Sequence, residues 1–200
     1  MREDRPVAPI GPNEHPDRIV NTLATAFQDD PAFSYILTSG ATRKRVLPSF
    51  FEVMAEQSHR HGEVLASPDG GAASLWMPPG TVKDGFFQEL TDTLRMIGVF
   101  KTSVFRGLSV GKQVYSMHPK PQPYVYLRYV GVAPDAQGKG WGGAVVRAGI
   151  ARAAEQGHGV LLETATPGNV AIYTRLGFEI TDEWQVPGGP QFWTMVHPAP

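Results

Sequence analysis

One stretch limits the folds open to this chain more than any other. It is the run Gln137-Gly138-Lys139-Gly140-Trp141-Gly142-Gly143, set between a short apolar segment, Tyr126 to Val132, and a segment of helical periodicity, Ala144 to Gln156. The first segment reads as a strand and ends in a Pro-Asp turn. In the second, Val146, Gly149, Ile150 and Ala153 recur as one narrow apolar stripe, with Arg147, Arg152 and Glu155 left for water. Strand, glycine-rich loop, helix is therefore the predicted order. The glycines let backbone approach a ligand with no Cβ in the way, and the free N–H groups of the first helical turn then point at that ligand. Such a place attracts anions, phosphate above all.

Three phosphate motifs compete for these residues. The P-loop pattern fails twice, because Ala133 stands where its first glycine belongs and Gly140 where Ser or Thr should hold magnesium. The dinucleotide pattern G-x-G-x-x-G is matched by Gly138, Gly140 and Gly143, with Glu163 near the end of the next predicted strand. That fold runs its strand straight into the first glycine and needs several further βα units, for which too little chain follows. The third motif is Q-x-x-G-x-G. Val130-Gly131-Val132-Ala133-Pro134, leading to Gln137 through Gly142, resembles the acetyl-CoA signature of the GNAT acetyltransferases, and Asn169 to Phe178 resembles that superfamily's second signature. Two signatures at the expected spacing, in a strand-loop-helix context, reach well beyond a bare glycine pattern.

The rest of the chain narrows the classes. Two hundred residues suit one domain, long enough to bury about 70% of the unfolded chain's surface. With 18 Lys and Arg against 19 Asp and Glu, and no basic run, the footprint of a nucleic-acid binder is absent. Cysteine is absent, which excludes disulfides, thiolate metal sites and a thiol nucleophile; the start of the chain has no apolar signal core. No stretch approaches the roughly twenty apolar residues that span a bilayer. A soluble cytoplasmic protein, monomer or homodimer, is the expectation.

Periodicity and breakers predict the following order. Pro6 to Ile10 is an edge strand and Asn13 to Phe27 a helix, stopped at Asp29-Asp30-Pro31. A short helix covers Phe33 to Leu37. A longer one, Ala41 to Arg60, has Phe50, Phe51, Val53 and Met54 inside and is kinked or restarted at Pro48. Strands Glu63 to Ala66 and Ala72 to Met77 form a hairpin. Gly85 to Val110 reads as mostly helical, interrupted at Gly98 and Gly107, and leads into a proline connector, Met117 to Pro123. Strand Val160 to Glu163, helix Pro167 to Leu176, strand Phe178 to Thr181 and a strand around Phe192 to Val196 complete the chain. This order suits a mixed α/β sheet with helices on both faces, which the resemblance sharpens to a mostly antiparallel sheet with a helical insert before the central strand. Residues 1–80 would form the acceptor side, 81–123 the insert and connector, and 124–200 the acetyl-CoA half. In whole-chain order the sequence is loosely similar to the puromycin N-acetyltransferases and their relatives.

The resemblance implies acetyl-CoA as co-substrate, held by Val130, Val132, Gln137, Gly138, Lys139, Gly140, Trp141, Gly142, Gly143 and Asn169. It also implies that Tyr173 lies beside the thioester sulfur and that a backbone N–H of the central strand, at Val132, meets the oxyanion. Thr166 suits the cap and Pro167 the first position of this helix, which sets Asn169 and Tyr173 on one face. A phenol of ordinary pKa, near ~10, is a weaker acid than a thiol near ~8.5. Tyr173 is thus a hydrogen-bond donor to the developing thiolate, and a true general acid only if its pKa is lowered.

The expected reaction is direct attack by a primary amine of a small or medium-sized substrate in a ternary complex. An alkyl amine near ~10.4 is deprotonated in only about one molecule in 2,500 at neutral pH, which calls for a base; an α-amine near ~8 hardly needs one. Glu163, Asp29, Asp30 and His118 are the candidates, and the sequence leaves them open. Asp29, Asp30 and Glu163 are also the expected substrate contacts, and Phe86, Phe87, Met96, Phe100 and Phe105 an apolar wall. His59-Arg60-His61 is a poor metal clip because residues two apart do not share a helix face. Trp76 reads as a strand aromatic packed under a helix. Two other classes stay in view: a non-catalytic acyl-CoA-binding module, and a dinucleotide-binding oxidoreductase resting on Gly138, Gly140 and Gly143.

Overall fold

The structure is a computed structural model, which describes residues 5–81, 95, 97–98, 100, 103–118 and 123–200. The sequence expectations for Phe86, Phe87, Met96, most of the segment from Gly85 to Phe100 and the middle of the proline connector lie outside the described residues.

Strand β1 (Ala8–Pro9) is followed by helices α1 (Pro16–Ala26), α2 (Pro31–Ile36) and α3 (Gly40–His61), then strands β2 (Glu63–Ala66) and β3 (Ala72–Met77). Helix α4 (Val104–Ser116) precedes the central strand β4 (Tyr124–Val132). After a single 3-10 turn, Pro134–Ala136, come helix α5 (Trp141–Glu155), strand β5 (Gly159–Thr164), helix α6 (Pro167–Arg175) and strands β6 (Glu179–Gln185) and β7 (Gln191–His197). The sheet runs β1-β2-β3-β4-β5-β7-β6. Every neighbouring pair is antiparallel except β4 and β5.

Local chemistry sets the boundaries. Asp30 caps α2, its carboxylate accepting from the N–H groups of Ala32 (2.9 Å) and Phe33 (3.1 Å), with Pro31 at the first helical position. Ser39 caps α3. Pro48 does not restart that helix, whose 22 residues run unbroken through it; the buried face carrying Val46, Leu47, Phe50, Phe51, Val53 and Met54 outweighs one missing backbone bond. Gly107 likewise lies inside α4 without interrupting it. The β2–β3 turn is drawn together by Asp69, which takes hydrogen bonds from the Ser67 hydroxyl and the Gly71 N–H.

Alternation along the strands divides the apolar residues into two layers. Val64, Ala66, Ala73 and Leu75 face a core built with α1, α2, α3 and α4, while Leu65, Trp76, Leu127, Val160 and Leu162 face α5 and α6. Strand β3 is buried along its whole length because helices cover both of its faces. Trp76 packs beneath α5, as its sequence context suggests, and its indole N–H is held by Ser74 Oγ at 2.8 Å. The sheet is thus the mixed, mostly antiparallel one expected. Among the described residues no helix is long and apolar enough to cross a membrane.

Candidate active site

The site begins where two parallel strands part. Strands β4 and β5 pair only from Tyr124 to Tyr126, opposite Gly159 to Leu161. The β3–β4 register slips between Leu75 and Trp76, which face Tyr129 and Leu127 and leave Arg128 as an extra residue. This bulge bends β4 away from β5. It also turns Arg128 to the same side as Tyr129. The Arg128 guanidinium donates to Gln57 Oε1 on α3 (2.8 Å), while the Tyr129 ring packs among Phe27, Phe50 and Phe51. Beyond the bulge, Gly131 sits opposite Ala73 and the Ala133 N–H donates to Gly71 O (2.8 Å). Strand alternation therefore turns the backbone groups of Val130 and Val132 into the gap that β5 has left.

The glycine loop closes one end of that gap. Gly138 and Gly140 take positive φ values of 71° and 81°, and Gly140 caps α5, so Trp141, Gly142 and Gly143 form its first turn. Their N–H groups have no intrahelical acceptor and face outward along the helix axis. Gln137 plays a different part from its neighbours. Its N–H closes the 3-10 turn on Pro134 O (3.4 Å) and its amide donates to Val132 O (3.2 Å), so it ties the loop to the strand. Lys139 Nζ donates to Asp135 O (2.7 Å), and Arg18 grips the Asp135 carboxylate (2.7 and 3.0 Å). Arg5 lies over the Trp141 ring at 4.9 Å, and the Arg147 guanidinium comes close to Gly143. The helix start is ringed by cations.

The gap opens into a cavity of about 180 Å³ between the sheet and the helices α1 to α4. Its walls are mostly apolar, with Phe33, Phe50, Phe100, Val104 and Val110 among them. Into it come Asp30 from the cap of α2, Tyr126, Arg128 and Val130 from β4, Glu163 and Thr164 from β5, Asn169 and Tyr173 from α6, and His118 from the end of α4.

Glu163 and His118 meet in this cavity. His118 Nε2 stands 2.9 Å from Glu163 Oε1, with side-chain exposures of 1% and 2%. The approach is an ion-pair distance outside hydrogen-bond alignment, and the Tyr126 phenol hydrogen-bonds to the Glu163 carboxylate. The His118 ring is flanked by Tyr115 at 5.6 Å and Tyr126 at 4.8 Å. Burial, and next the charge of Glu163, hold the Tyr126 phenol well above the ordinary tyrosine range. Tyr129 is pushed up to about 12, chiefly by burial.

The two sequence-predicted aspartates separate. Asp30 lines the cavity, and its charge is felt by Tyr129 and Tyr173. Burial raises its carboxyl above the ordinary value, against the N–H groups of Phe33 and Ala32 and the Thr166 hydroxyl, which lower it. Asp29 does not reach the cavity: its side chain is 99% exposed and faces Arg43 at 3.7 Å. As the residue preceding the cap it is turned outward, where a carboxylate keeps its hydration. Thr166 occupies the cap position of α6 without a side-chain cap bond, its hydroxyl being engaged with Asp30.

Tyr173 is 7% exposed and lines the cavity with Asn169. Burial first, and Asp30 second, raise its phenol above the ordinary value, the opposite of what a general acid needs. It is a neutral hydrogen-bond donor. Phe100 does join the apolar wall, its ring 5.7 Å from Phe50, whereas Phe105 is 78% exposed and takes no part. The helix end His59-Arg60-His61 belongs to no metal-holding group among the described residues.

Sequence reasoning missed Tyr126, Arg128, Tyr129 and Gln57. A bulge cannot be read from a run of apolar and aromatic residues, so the turning of Arg128 into the cavity left no periodic signal. Two tyrosines three residues apart on one strand, Tyr126 and Tyr129, were the available hint.

Parted parallel strands, a glycine loop at a helix start and a largely apolar cavity with a buried carboxylate thus meet at one place in the fold. Residues 73–178, just over half of the chain, match the family model of the Acetyltransferase (GNAT) family. The chain belongs to that family and is an N-acetyltransferase. An uncharacterised N-acetyltransferase of Schizosaccharomyces pombe is 27% identical over 167 residues, covering 78% of this chain and 68% of the relative. A Corynebacterium glutamicum crystal structure described as histone acetyltransferase HPA2 and related acetyltransferase superposes with a TM-score of 0.73 at 26% identity, covering 97% of this chain and 96% of that one. Arylalkylamine N-acetyltransferase 2 of Aedes aegypti shares the fold, with a TM-score of 0.62 at 13% identity over 98% of this chain and 99% of that one.

Proposed function

We propose that this N-acetyltransferase transfers the acetyl group of acetyl-CoA to a primary amine of a small or medium-sized substrate with an apolar part, by direct attack in a ternary complex. The observation that carries this reading is the Glu163 carboxylate: almost wholly buried, at the wall of a largely apolar cavity, with His118 and the Tyr126 phenol beside it. A buried carboxylate is costly, and an incoming ammonium supplies a compensating charge.

In this reading the pyrophosphate of acetyl-CoA rests on the N–H groups from Gly138 to Gly143 with Arg5, Lys139 and Arg147 around it. The pantetheine arm runs along Val130 and Val132, whose backbone groups replace those of the departed β5. Asn169 contacts the same arm. The thioester carbonyl oxygen meets a β4 backbone N–H, and the sulfur lies beside Tyr173. The amine enters from the helical side, where Asp30 and Glu163 attract its charge. The ammonium first gives one proton to Glu163; the free amine nitrogen then attacks the thioester carbon, the C–S bond breaks, and the thiolate, met by a hydrogen bond from the Tyr173 phenol, takes a further proton from the nitrogen. In this reading residues 1–80 are the acceptor side, 81–123 the insert and connector, and 124–200 the acetyl-CoA half.

The apolar walls and enclosed shape favour an amine with a hydrophobic portion over a basic peptide, which needs a long acidic groove. The test is a panel of amines assayed for CoA release: arylalkyl and alkyl amines, aminoacyl compounds, polyamines and a lysine-rich peptide. Turnover concentrated on the hydrophobic primary amines supports the reading. Exclusive use of the peptide overturns the acceptor class, and binding of acetyl-CoA without turnover of any amine would favour the acyl-CoA-binding module.

A further inference from the structure

The proton taken from the amine has no obvious exit. Glu163 is buried beneath α4, so a proton placed on it cannot pass directly to bulk water, and a protonated carboxyl cannot receive the next ammonium. An ammonium substrate must lose two protons to become an amide. One accompanies the thiolate as CoA thiol; the other has to be held until the product leaves.

Resting on the reading of Glu163 above, we propose that His118 holds this second proton, so that Glu163 and His118 work as a two-residue base in which Glu163 meets the amine and His118 keeps the carboxylate ionised. The distance suits the transfer, with a small turn of the ring bringing Nε2 into line with Oε1. Nε2 and Oε1 are 2.9 Å apart, and the ring is flanked by Tyr115 and Tyr126. Imidazole is the stronger base of the two side-chain types. The N–H bond of the amine breaks and its proton goes to a Glu163 oxygen; from Oε1 it moves to Nε2 of the neutral ring, whose own proton is on Nδ1. The result is an imidazolium beside a carboxylate, which is restored to the neutral ring when the product leaves and water enters. The other charged or titratable groups facing the pair are Tyr115 on α4, Tyr126, Arg128 and Tyr129 on β4, Asp30 ahead of α2, and Tyr173 on α6.

The arrangement also explains the position of α4. This helix comes from the insert and ends at Ser116, and its backbone continues so that the His118 N–H donates to Tyr115 O at 3.2 Å. It thereby delivers an imidazole from the acceptor side onto a carboxylate of the donor side. His118 acts through Glu163 and positions its charge.

The experiment compares the full-length protein with His118→Gln and Glu163→Gln, measuring kcat and KM from pH 5 to 9 with one amine of high pKa and one of low pKa. His118→Gln is expected to lower kcat about ten- to a hundredfold for the high-pKa amine, to spare the low-pKa amine, to leave acetyl-CoA affinity unchanged and to remove the acidic limb of the wild-type kcat profile. An unchanged profile, or an equal loss with both amines, would overturn the role of His118 and make it structural. If Glu163→Gln keeps full activity with both amines, the acceptor-site reading itself falls. If Glu163→Gln is impaired while His118→Gln keeps the wild-type profile, only the present inference falls. Should His118→Gln not fold, His118→Asn is put through the same comparison, with free imidazole added: recovery of the acidic limb supports the proposal, and its absence at full acetyl-CoA binding overturns it.

Discussion

Gly149 of α5 stands directly against the indole of Trp76: a Cβ at position 149 would lie 2.0 Å from Trp76 Cζ2. Here the helix that carries the glycine loop is seated on the sheet. Alanine in a helix interior is intrinsically better than glycine by about 1 kcal/mol, but forcing a methyl group into this contact costs about 1 to 3 kcal/mol. Gly149→Ala is therefore expected to be destabilised in chemical denaturation, and the loss should shrink in the background of Trp76→Leu, which opens the space. A Gly149→Ala protein more stable than the parent would mean that the two elements do not touch at this point.

Gly140 caps α5 with φ of 81°, a conformation branched residues avoid. Gly140→Val should raise the Kd for acetyl-CoA at least tenfold, through backbone strain and by obstructing the first-turn N–H groups. Calorimetric titration is the measurement, with circular dichroism to confirm the fold. Parent-like affinity would remove the loop from the cofactor site.

Tyr173→Phe is expected to lower kcat about ten- to a thousandfold with little change in acetyl-CoA affinity, the range for losing one donor aimed at developing charge. Because burial and Asp30 raise its phenol, Tyr173 stays protonated throughout the working range. The pH profiles of parent and variant should then have the same shape and differ only in height. A basic limb present in the parent and missing from Tyr173→Phe would show that the phenol does give up its proton.

Asp30→Asn keeps the oxygen that accepts from Ala32 and Phe33. The folded-state pKa of Asp30 is raised, so its favourable contribution is present below the unfolded value and is lost as pH climbs through the folded one. At pH 7 the asparagine variant should therefore be as stable as the parent or more so, while Asp30→Ala loses about 1 kcal/mol with the cap. Turnover of a high-pKa amine should fall more in Asp30→Asn than in Asp29→Asn, whose side chain lies in solvent. Equal and negligible effects would take Asp30 out of acceptor binding.

Tyr126, Tyr129 and Tyr173 all have raised values in the folded state. Between the unfolded tyrosine value, near ~10, and those raised values the unfolded chain binds fewer protons than the folded one, so stability falls as pH rises. Denaturation midpoints should decline steeply above about pH 10. Tyr129→Phe should flatten the decline, and an unchanged slope would mean that this phenol ionises freely in the fold.

The sequence by itself determined the local elements, among them the strand, glycine loop and helix around Gly140. A loop of glycines between a strand and a helical stripe, a proline at the start of α6 and the turn chemistry of the β2–β3 hairpin are short-range properties, and dihedral preferences and hydrogen bonds within a few residues decide them. Asn169 and Tyr173, one turn apart on α6, accordingly line the same cavity, and Val130 lines it from β4. The tertiary structure decided which side chains enter the cavity. Whether Asp29 or Asp30 faces inward depended on which one capped α2, and whether Pro48 broke α3 on how much apolar surface the helix buried. Arg128 entered the cavity only because the β3–β4 register slipped. The pairing of His118 with Glu163 joins residues far apart in sequence, through the docking of α4 over the parted strands, and no local pattern encodes a contact that only packing across the sheet creates.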